Sequence, residues 1–459
     1  MAKKLAENLF LPLLASLSLA GLIFVTPSNL FFKFDQFDWS IRGLQVDYLL
    51  PKIYLSDLAA AISIVILTYW KEKSIKIQNI KTTKLEIFGL LIGLGFFVRQ
   101  IFTPFPAAAI SEILRLSLIL WLGILGHFFW AKLNQKILWW ALVTTNIFQA
   151  CLGIRQFFTQ KSLATYSTLL GETDLSSFAG IAFGNFGRWG EKILPYGTTA
   201  HPNILAGWLT GSWLLAIYWS QKSDLHRFWQ VKIISLISGL LTLEIIFLSQ
   251  SWSAAGFLTL GLIWIYGLKL KTEFLTLKRW HLGIILSCLM LSYWWLNFAT
   301  THLKLTNFFN QNLGWSRRES LLTAAQEITQ KNWLWGTGLN QFSVYLETVN
   351  HPKELVRFVQ PVHHVGWLWL SETGLLGLVA IALLGYKIQK HQPRFLASLI
   401  TWLLIISPIF IWDHYLLSNP TGLWLSWWGL VILMSDSRSQ KSDRQMTQLA
   451  AGQIQSSRV

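Results

Sequence analysis

The chain has 459 residues, 53% of them hydrophobic and 13% charged, with a mean hydropathy of +0.43. Soluble proteins carry about 25% charged residues, so this composition excludes a cytosolic or DNA-binding globular protein and places the chain in a bilayer. The 38 basic and 22 acidic residues give a net charge of +16, which here reads as a signal of orientation, because basic loops stay on the cytoplasmic side.

About 20 apolar residues cross the hydrocarbon layer. On that measure residues 1–158 hold five candidate spans, near 8–25, 54–70, 85–103, 109–130 and 137–158. The first follows Lys3 and Lys4 without a small-residue cleavage site and is expected to stay as an anchor. Glu112 and Arg115 interrupt the fourth. A glycine-rich loop follows over 159–201, with Gly171, Gly180, Gly184, Gly187, Gly190 and Gly197, a composition suited to tightly turning backbone. It ends in Gly197-Thr198-Thr199-Ala200-His201-Pro202-Asn203, which places Pro202 in the first turn of the sixth span, where proline is favoured. The N–H groups of that helix start are a candidate anion site; a plain loop-to-helix cap is the other reading.

Residues 202–299 hold spans near 202–219, 232–249, 252–268 and 281–299, and a second long polar loop covers 300–363. Within it Leu321, Leu322, Ala325 and Ile328 share one helical face of a stretch from Ser316 to Gln330. Ser316 above Glu319 has the form of a capping box, and a helix lying in the outer interface is expected. Arg317 and Arg318 stand at its start, where two guanidinium forks match a diphosphate and equally match lipid headgroups. A Gly336-Thr337-Gly338 turn follows Trp333-Leu334-Trp335.

The loop closes on Gln360-Pro361-Val362-His363-His364, and spans follow near 364–385, 395–412 and 420–434, filling 364–434. A neutral imidazole at the water–lipid boundary is a competent general base, which makes His363 the candidate base. Glu372 lies nine residues further on, about half a turn around a helix and roughly 13 Å deeper. It therefore needs a partner from another helix, as a structural bridge or as a catalytic group. Asp413-His414-Tyr415 ends the eleventh span. His201, His363 and His414 with a carboxylate would be an ordinary zinc set, but no histidine pair has the local spacing of a metal motif, and no metal or other cofactor is expected. The tail, 435–459, is polar and aperiodic and reads as disordered. Cys151 and Cys288 both lie in apolar runs, leaving no disulfide framework. The absence of an internal repeat argues against a transporter of inverted halves.

Every even-numbered span exits into basic residues, from Lys71, Lys73 and Lys76 through Lys132, Lys222, Arg227, Lys269 and Lys271 to Lys387, Lys390 and Arg438. Both termini are then cytoplasmic and both long loops lie outside. The expected fold class is an all-α polytopic integral membrane protein of about 12 transmembrane helices with two long outer-face loops.

Three motifs occur in series: Gly-Thr-x-x-His-Pro-Asn-x-Leu-Ala from Gly197 to Ala206, Arg318-x6-Ala325 followed by Gly336-x-Gly338, and Pro-Val-His-x8-Glu-Thr-Gly from Pro361 to Gly374. The set resembles the O-antigen ligase and O-antigen polymerase superfamily of GT-C-type glycosyltransferases, most strongly over about 195–380. The resemblance implies an enzyme of the cytoplasmic (inner) membrane that uses an undecaprenyl-diphosphate-linked glycan donor and a glycan, lipid or protein acceptor, without metal or nucleotide sugar. It makes Arg318, with Arg317, a diphosphate ligand and His363 the base, with His201, Asn203, Glu372, Asp413 and His414 in support. Membrane lipids are the other expected partners; nucleic acid is not. Three positions depart from the family pattern: Leu194 and Trp252 stand where arginines are frequent, and His364 stands where asparagine is usual. Lys192, Arg188 or Arg357 would have to supply the missing charge, or activity is altered. A lipid-linked glycan flippase or exporter, and a non-catalytic glycan-assembly protein, are the competing readings.

Overall fold

The computed structural model describes residues 2–74, 84–163, 171–176, 180–270, 313–349, 359–392 and 395–434. Helices occupy every predicted span that falls within them. The first five are α1 (Ala2–Val25), α2 (Leu55–Ser74), α3 (Lys84–Ile101), α4 (Pro106–Phe129) and α5 (Gln135–Thr159). Then come α6 (Pro202–Lys222), α7 (Trp229–Leu248), α8 (Trp252–Leu270), α9 (Leu313–Lys331), α10 (Val365–His391), α11 (Phe395–Trp412) and α12 (Pro420–Met434). The predicted span at 281–299, the residue Arg357 and the tail lie outside the described residues. Among the described residues, α4, α5, α7, α10 and α11 are long and apolar enough to cross a membrane, and α1, α2, α8 and α12 contain shorter apolar helices.

The central element is α6, which packs on α5, α7 and α8 and buries Trp208 and Trp213 completely. A helix covered on all sides needs side-chain rather than lipid partners for its polar groups. Asn146 of α5 supplies one set: its Nδ2 donates to Leu209 O and Ser212 Oγ of α6, each at 2.8 Å, and its Oδ1 accepts from Ser238 Oγ of α7 at 2.7 Å. The charges that interrupt α4 are also paired. Arg115 meets Glu112 Oε2 at 2.5 Å and Asp57 Oδ1 of α2 at 3.3 Å, and its third nitrogen donates to Lys52 O at 3.3 Å. Buried ionisable groups are tolerated when they are paired and hydrogen-bonded, which explains how a helix carrying Glu112 and Arg115 stays embedded.

The chain is mostly helical, as an all-α membrane protein should be, and its few strands are short and confined to the connections. Residues 26–54 form two small antiparallel pairs, β1 (Phe31–Lys33) with β4 (Lys52–Tyr54) and β2 (Ser40–Ile41) with β3 (Leu44–Gln45). In the loop before α6, β5 (Phe183–Asn185) pairs with β6 (Glu191–Ile193). These ribbons satisfy their own backbone in segments that leave the helical body.

Two expectations change. The described part of α9 begins at Leu313, so Ser316 sits inside the helix and its box with Glu319 does not cap it. The apolar face is as predicted, with Leu321, Ala325 and Ile328 at most 2% exposed, and it packs on α10. In turn α10 is broken at Gly374, whose φ of 63° and ψ of −165° are not helical. The Trp333–Gly338 segment lies against the break. Leu375 N donates to Trp333 O and Thr337 N to Ser371 O, at 2.8 and 2.9 Å, and Gly338 N reaches Glu372 O at 2.8 Å. A Cβ on Gly336 would meet the Glu372 backbone, and one on Gly374 would meet Leu334 O. Both ends of the predicted glycine motifs are therefore one feature, a broken helix whose freed carbonyls are taken up by the backbone N–H groups of an adjoining turn segment.

Candidate functional site

The turn that opens α6 is held from below by two glutamines of α5. Gln156 Oε1 accepts from Tyr196 N and Gly197 N at 2.9 and 2.7 Å, and its Nε2 donates to Gly197 O at 2.8 Å. Gln149 Oε1 accepts from Thr198 N at 2.9 Å. Gly197 has φ +57°, and a Cβ there would run into Gln149 Oε1 and Leu205, so this position admits only glycine without rearrangement. The result is His201 as N-cap of α6. Its Nδ1 accepts from Asn203 N at 3.2 Å and its carbonyl takes Ile204 N and Leu205 N. With Pro202 lacking a donor, the first-turn N–H groups are all satisfied locally, which corrects the expectation of an anion site there. It also places the His201 proton on Nε2.

A second helix start presents His363 and His364. His364 is the N-cap of α10, its Nδ1 accepting from Trp367 N at 3.3 Å. Asparagine does the same work at N-caps, a physical reason for its exchange with histidine at this position. His363 does not cap and is half-buried, with a buried Nδ1 that has no hydrogen-bond partner among the described residues. Its ring stands edge-on to His414, with centroids 4.9 Å apart at 82°. His414 Nδ1 is 2.5 Å from Ser418 Oγ, its backbone N donates to Asp413 Oδ1, and Asp413 Oδ2 accepts from Asn203 Nδ2 at 3.3 Å. Burial, the neighbouring His414 and Arg318 together outweigh Asp413 and push the His363 imidazole down to about 3. Burial likewise holds His414 below the usual imidazole range.

His201, Asn203, Arg318, His363, Asp413 and His414 all line one cavity of about 560 Å³. Four segments far apart in sequence converge there, at the starts of α6 and α10, on α9, and between α11 and α12. Arg318 forms no salt bridge with another described residue, so its guanidinium charge is not neutralised by a neighbouring carboxylate. Other predicted members stand elsewhere. Arg317 is not among the lining residues, and neither is Lys192, which belongs to the β5–β6 hairpin. The backbone at Arg188 forms the turn of that hairpin, and no residue of the hairpin lines the cavity. Leu194 is buried against Phe157, Phe186 and Leu248, an apolar setting with no place for a charge, and Trp252 at 45% exposure faces outward. Glu372 is buried away from His363. Its Oε1 accepts from Tyr48 OH at 3.0 Å and Phe342 N at 3.2 Å, which makes it the bridge between the α1–α2 connection and the segment after α9.

The histidines that sequence spacing keeps apart are brought together by the fold: ligand atoms of His363, Asp413 and His414 lie within 4.8 Å of one another. That set could hold a divalent ion, so the chemistry of the site divides between a free imidazole base and a metal ligand. Sequence reasoning missed a second group of lining residues, Asp47, Tyr48, Lys52, Ser111, Glu112, Arg115 and Asn340. The signal available was the cost of Glu112 and Arg115 inside an apolar run.

Fold and site define a helical membrane protein with a polar cavity assembled from the connections at the ends of its helices. No protein-family model matches the chain, and it matches no curated protein.

Proposed function

We propose that the chain is a polytopic glycosyltransferase of about 12 spans, similar in kind to O-antigen ligases and polymerases. It moves a glycan from an undecaprenyl-diphosphate carrier to an acceptor hydroxyl at the outer face of the cytoplasmic membrane. The observation that carries this reading is the convergence on one cavity of Arg318 and His363, the first without a carboxylate partner and the second with an unpartnered Nδ1 among the described residues. In the reaction the acceptor oxygen attacks the anomeric carbon, its proton passes to His363, and the bond from that carbon to the phosphate oxygen breaks. The diphosphate leaves with the bonding electron pair, its charge met by Arg318.

Arg318→Ala is expected to weaken donor use more than Arg318→Lys, since lysine keeps the charge and loses the bidentate fork. Michaelis constants for a lipid-diphosphate-linked sugar measure this, and two variants both near the parent would place the diphosphate elsewhere. Turnover in detergent, where there are no two sides to transport between, separates a transferase from a flippase.

Both termini are proposed to be cytoplasmic. In support, the cavity is lined from the connections after α1, before α6 and α10, and after α11, which the basic-residue rule puts outside. The basic exits at Lys132, Lys222, Lys232 and Lys387 contribute nothing to it. Cysteines introduced over 159–200 should label from outside intact cells, with those over 221–232 protected; the reverse pattern would remove the lipid-carrier mechanism.

A further inference from the structure

The cavity has two chemically different ends. The first is the wall of histidines with Arg318. The second is made by the first turns of α4 and the connection before α2, and its cations are already neutralised. Lys52 Nζ is 2.5 Å from Asp47 Oδ1, and Arg115 is held by Glu112 and Asp57 at 2.5 and 3.3 Å. Two cations face three carboxylates in this group, so it presents no net positive charge to a phosphate. It presents hydrogen-bonding capacity instead. Glu112 lines the cavity at 3% exposure, and its Oε1 takes no hydrogen bond of ordinary length and angle among the described residues; the Asn340 amide, whose Nδ2 donates to Ala108 O at 3.4 Å, lies close enough to give the carboxyl only a loose further contact. A buried unsatisfied oxygen calls for an explanation, commonly a missing ligand or water. Ser111 Oγ beside it spends its proton on Ala108 O at 2.8 Å and keeps its lone pairs for an incoming donor. The half-buried Tyr48 also lines the cavity here, and a flat apolar ring suits the C–H face of a pyranose; the Tyr54 ring is already covered by the Arg115 guanidinium at 4.9 Å.

Building on the transferase reading, we propose that this end is a sugar-binding subsite. It holds a neutral pyranose residue of the transferred glycan or of its acceptor, with Glu112 Oε1 and Ser111 Oγ receiving sugar hydroxyl protons. The division of labour follows from charge. A diphosphate is drawn to Arg318, and an uncharged polyol is drawn to a wall of acceptors without excess cation.

The test uses the full-length protein in detergent micelles. Free glucose, galactose, rhamnose and N-acetylglucosamine are offered singly and followed by saturation-transfer NMR, with inorganic pyrophosphate titrated separately by calorimetry. At least one sugar should bind. Ser111→Ala and Glu112→Gln should each weaken it about 2- to 12-fold, the range of one hydrogen bond, with pyrophosphate affinity unchanged. Arg318→Ala should do the converse. Ser111→Ala removes only one side-chain bond within its own helix, so it remains informative if Glu112→Gln fails to fold. The subsite is overturned if no sugar binds the parent, or if Ser111→Ala and any folded Glu112→Gln bind like the parent. Failure of the parent to bind pyrophosphate would instead count against the transferase reading, whatever the sugars do. Farnesyl diphosphate bearing the bound sugar assigns its source: displacement of the free sugar makes it the donor's residue, and simultaneous binding makes it the acceptor's.

Discussion

His363→Ala should lower turnover by about 10²- to 10⁴-fold, the usual worth of a general base, while the protein is still made, folds and holds its donor. The structure sharpens this expectation in two ways. His363 neither caps a helix nor accepts a backbone bond, in contrast to His201 and His364, so its loss should cost little stability. His364→Asn should retain activity, since asparagine keeps the cap on Trp367 N, whereas His364→Ala should lose about 1 kcal/mol of stability.

The pH dependence follows from the depressed imidazole. In the free enzyme His363 gains its proton only near pH 3, so kcat/KM should stay level as pH falls from 7 through 5 and decline only well below the ordinary imidazole range. Bound diphosphate places negative charge beside the ring and favours its protonated form. The acid limb of kcat should therefore lie at higher pH than that of kcat/KM. A kcat/KM limb near 6.5, the unperturbed histidine value, would mean that the titrating base is a solvated histidine elsewhere. Chelation with EDTA should leave these rates unchanged. Loss of activity restored by a divalent ion would turn His363, Asp413 and His414 into a metal centre and remove His363 as the base.

Gly374→Ala should be among the most damaging additions of a single methyl group. Its φ of 63° and ψ of −165° fall in a region open essentially to glycine, at a backbone cost of about 1–3 kcal/mol for any other residue. The added Cβ would also overlap Leu334 O and Gly336 N, and both segments are fixed by hydrogen bonds across the break. The expected result is a large drop in thermal stability of the purified protein, with His363 activity lost because α10 no longer starts where it should. Gly21→Ala is the matched control: a Cβ there meets nothing within 4 Å in a helix, and alanine in place of a helical glycine gains up to about 1 kcal/mol. Equal stability of the two variants would mean that α10 runs unbroken through Gly374.

The helical skeleton was legible from hydropathy because burial in lipid or in a helix bundle demands the same apolar runs at the same lengths. The site was legible where a residue carries its own signal: His363 after Pro361-Val362, Pro202 in a first turn, the paired glycines around Trp335. What periodicity does not encode is which loops meet. Nothing in the spacing of His363 and His414 foretells rings 4.9 Å apart. Nor does sequence separate Arg318, which reaches the cavity, from Arg317, which does not, since adjacent residues differ only by the angle at which the helix docks. The connection carrying Tyr48 and Lys52 bears no motif, and its part in the cavity depends on Arg115 reaching back to Asp57 from another helix.

The glutamines under the connections bear on how such a protein can change over time. Gln149 and Gln156 grip Tyr196, Gly197 and Thr198 largely through main-chain atoms. Gln100 takes Leu339 N, and Gln341 exchanges two bonds with the backbone of Phe105. Apart from the glycines, such grips are indifferent to the side chain of the residue held. The connections can therefore exchange side chains facing the cavity without losing their path, and the lining of the cavity can drift by point substitution while the helix ends around it stay in register.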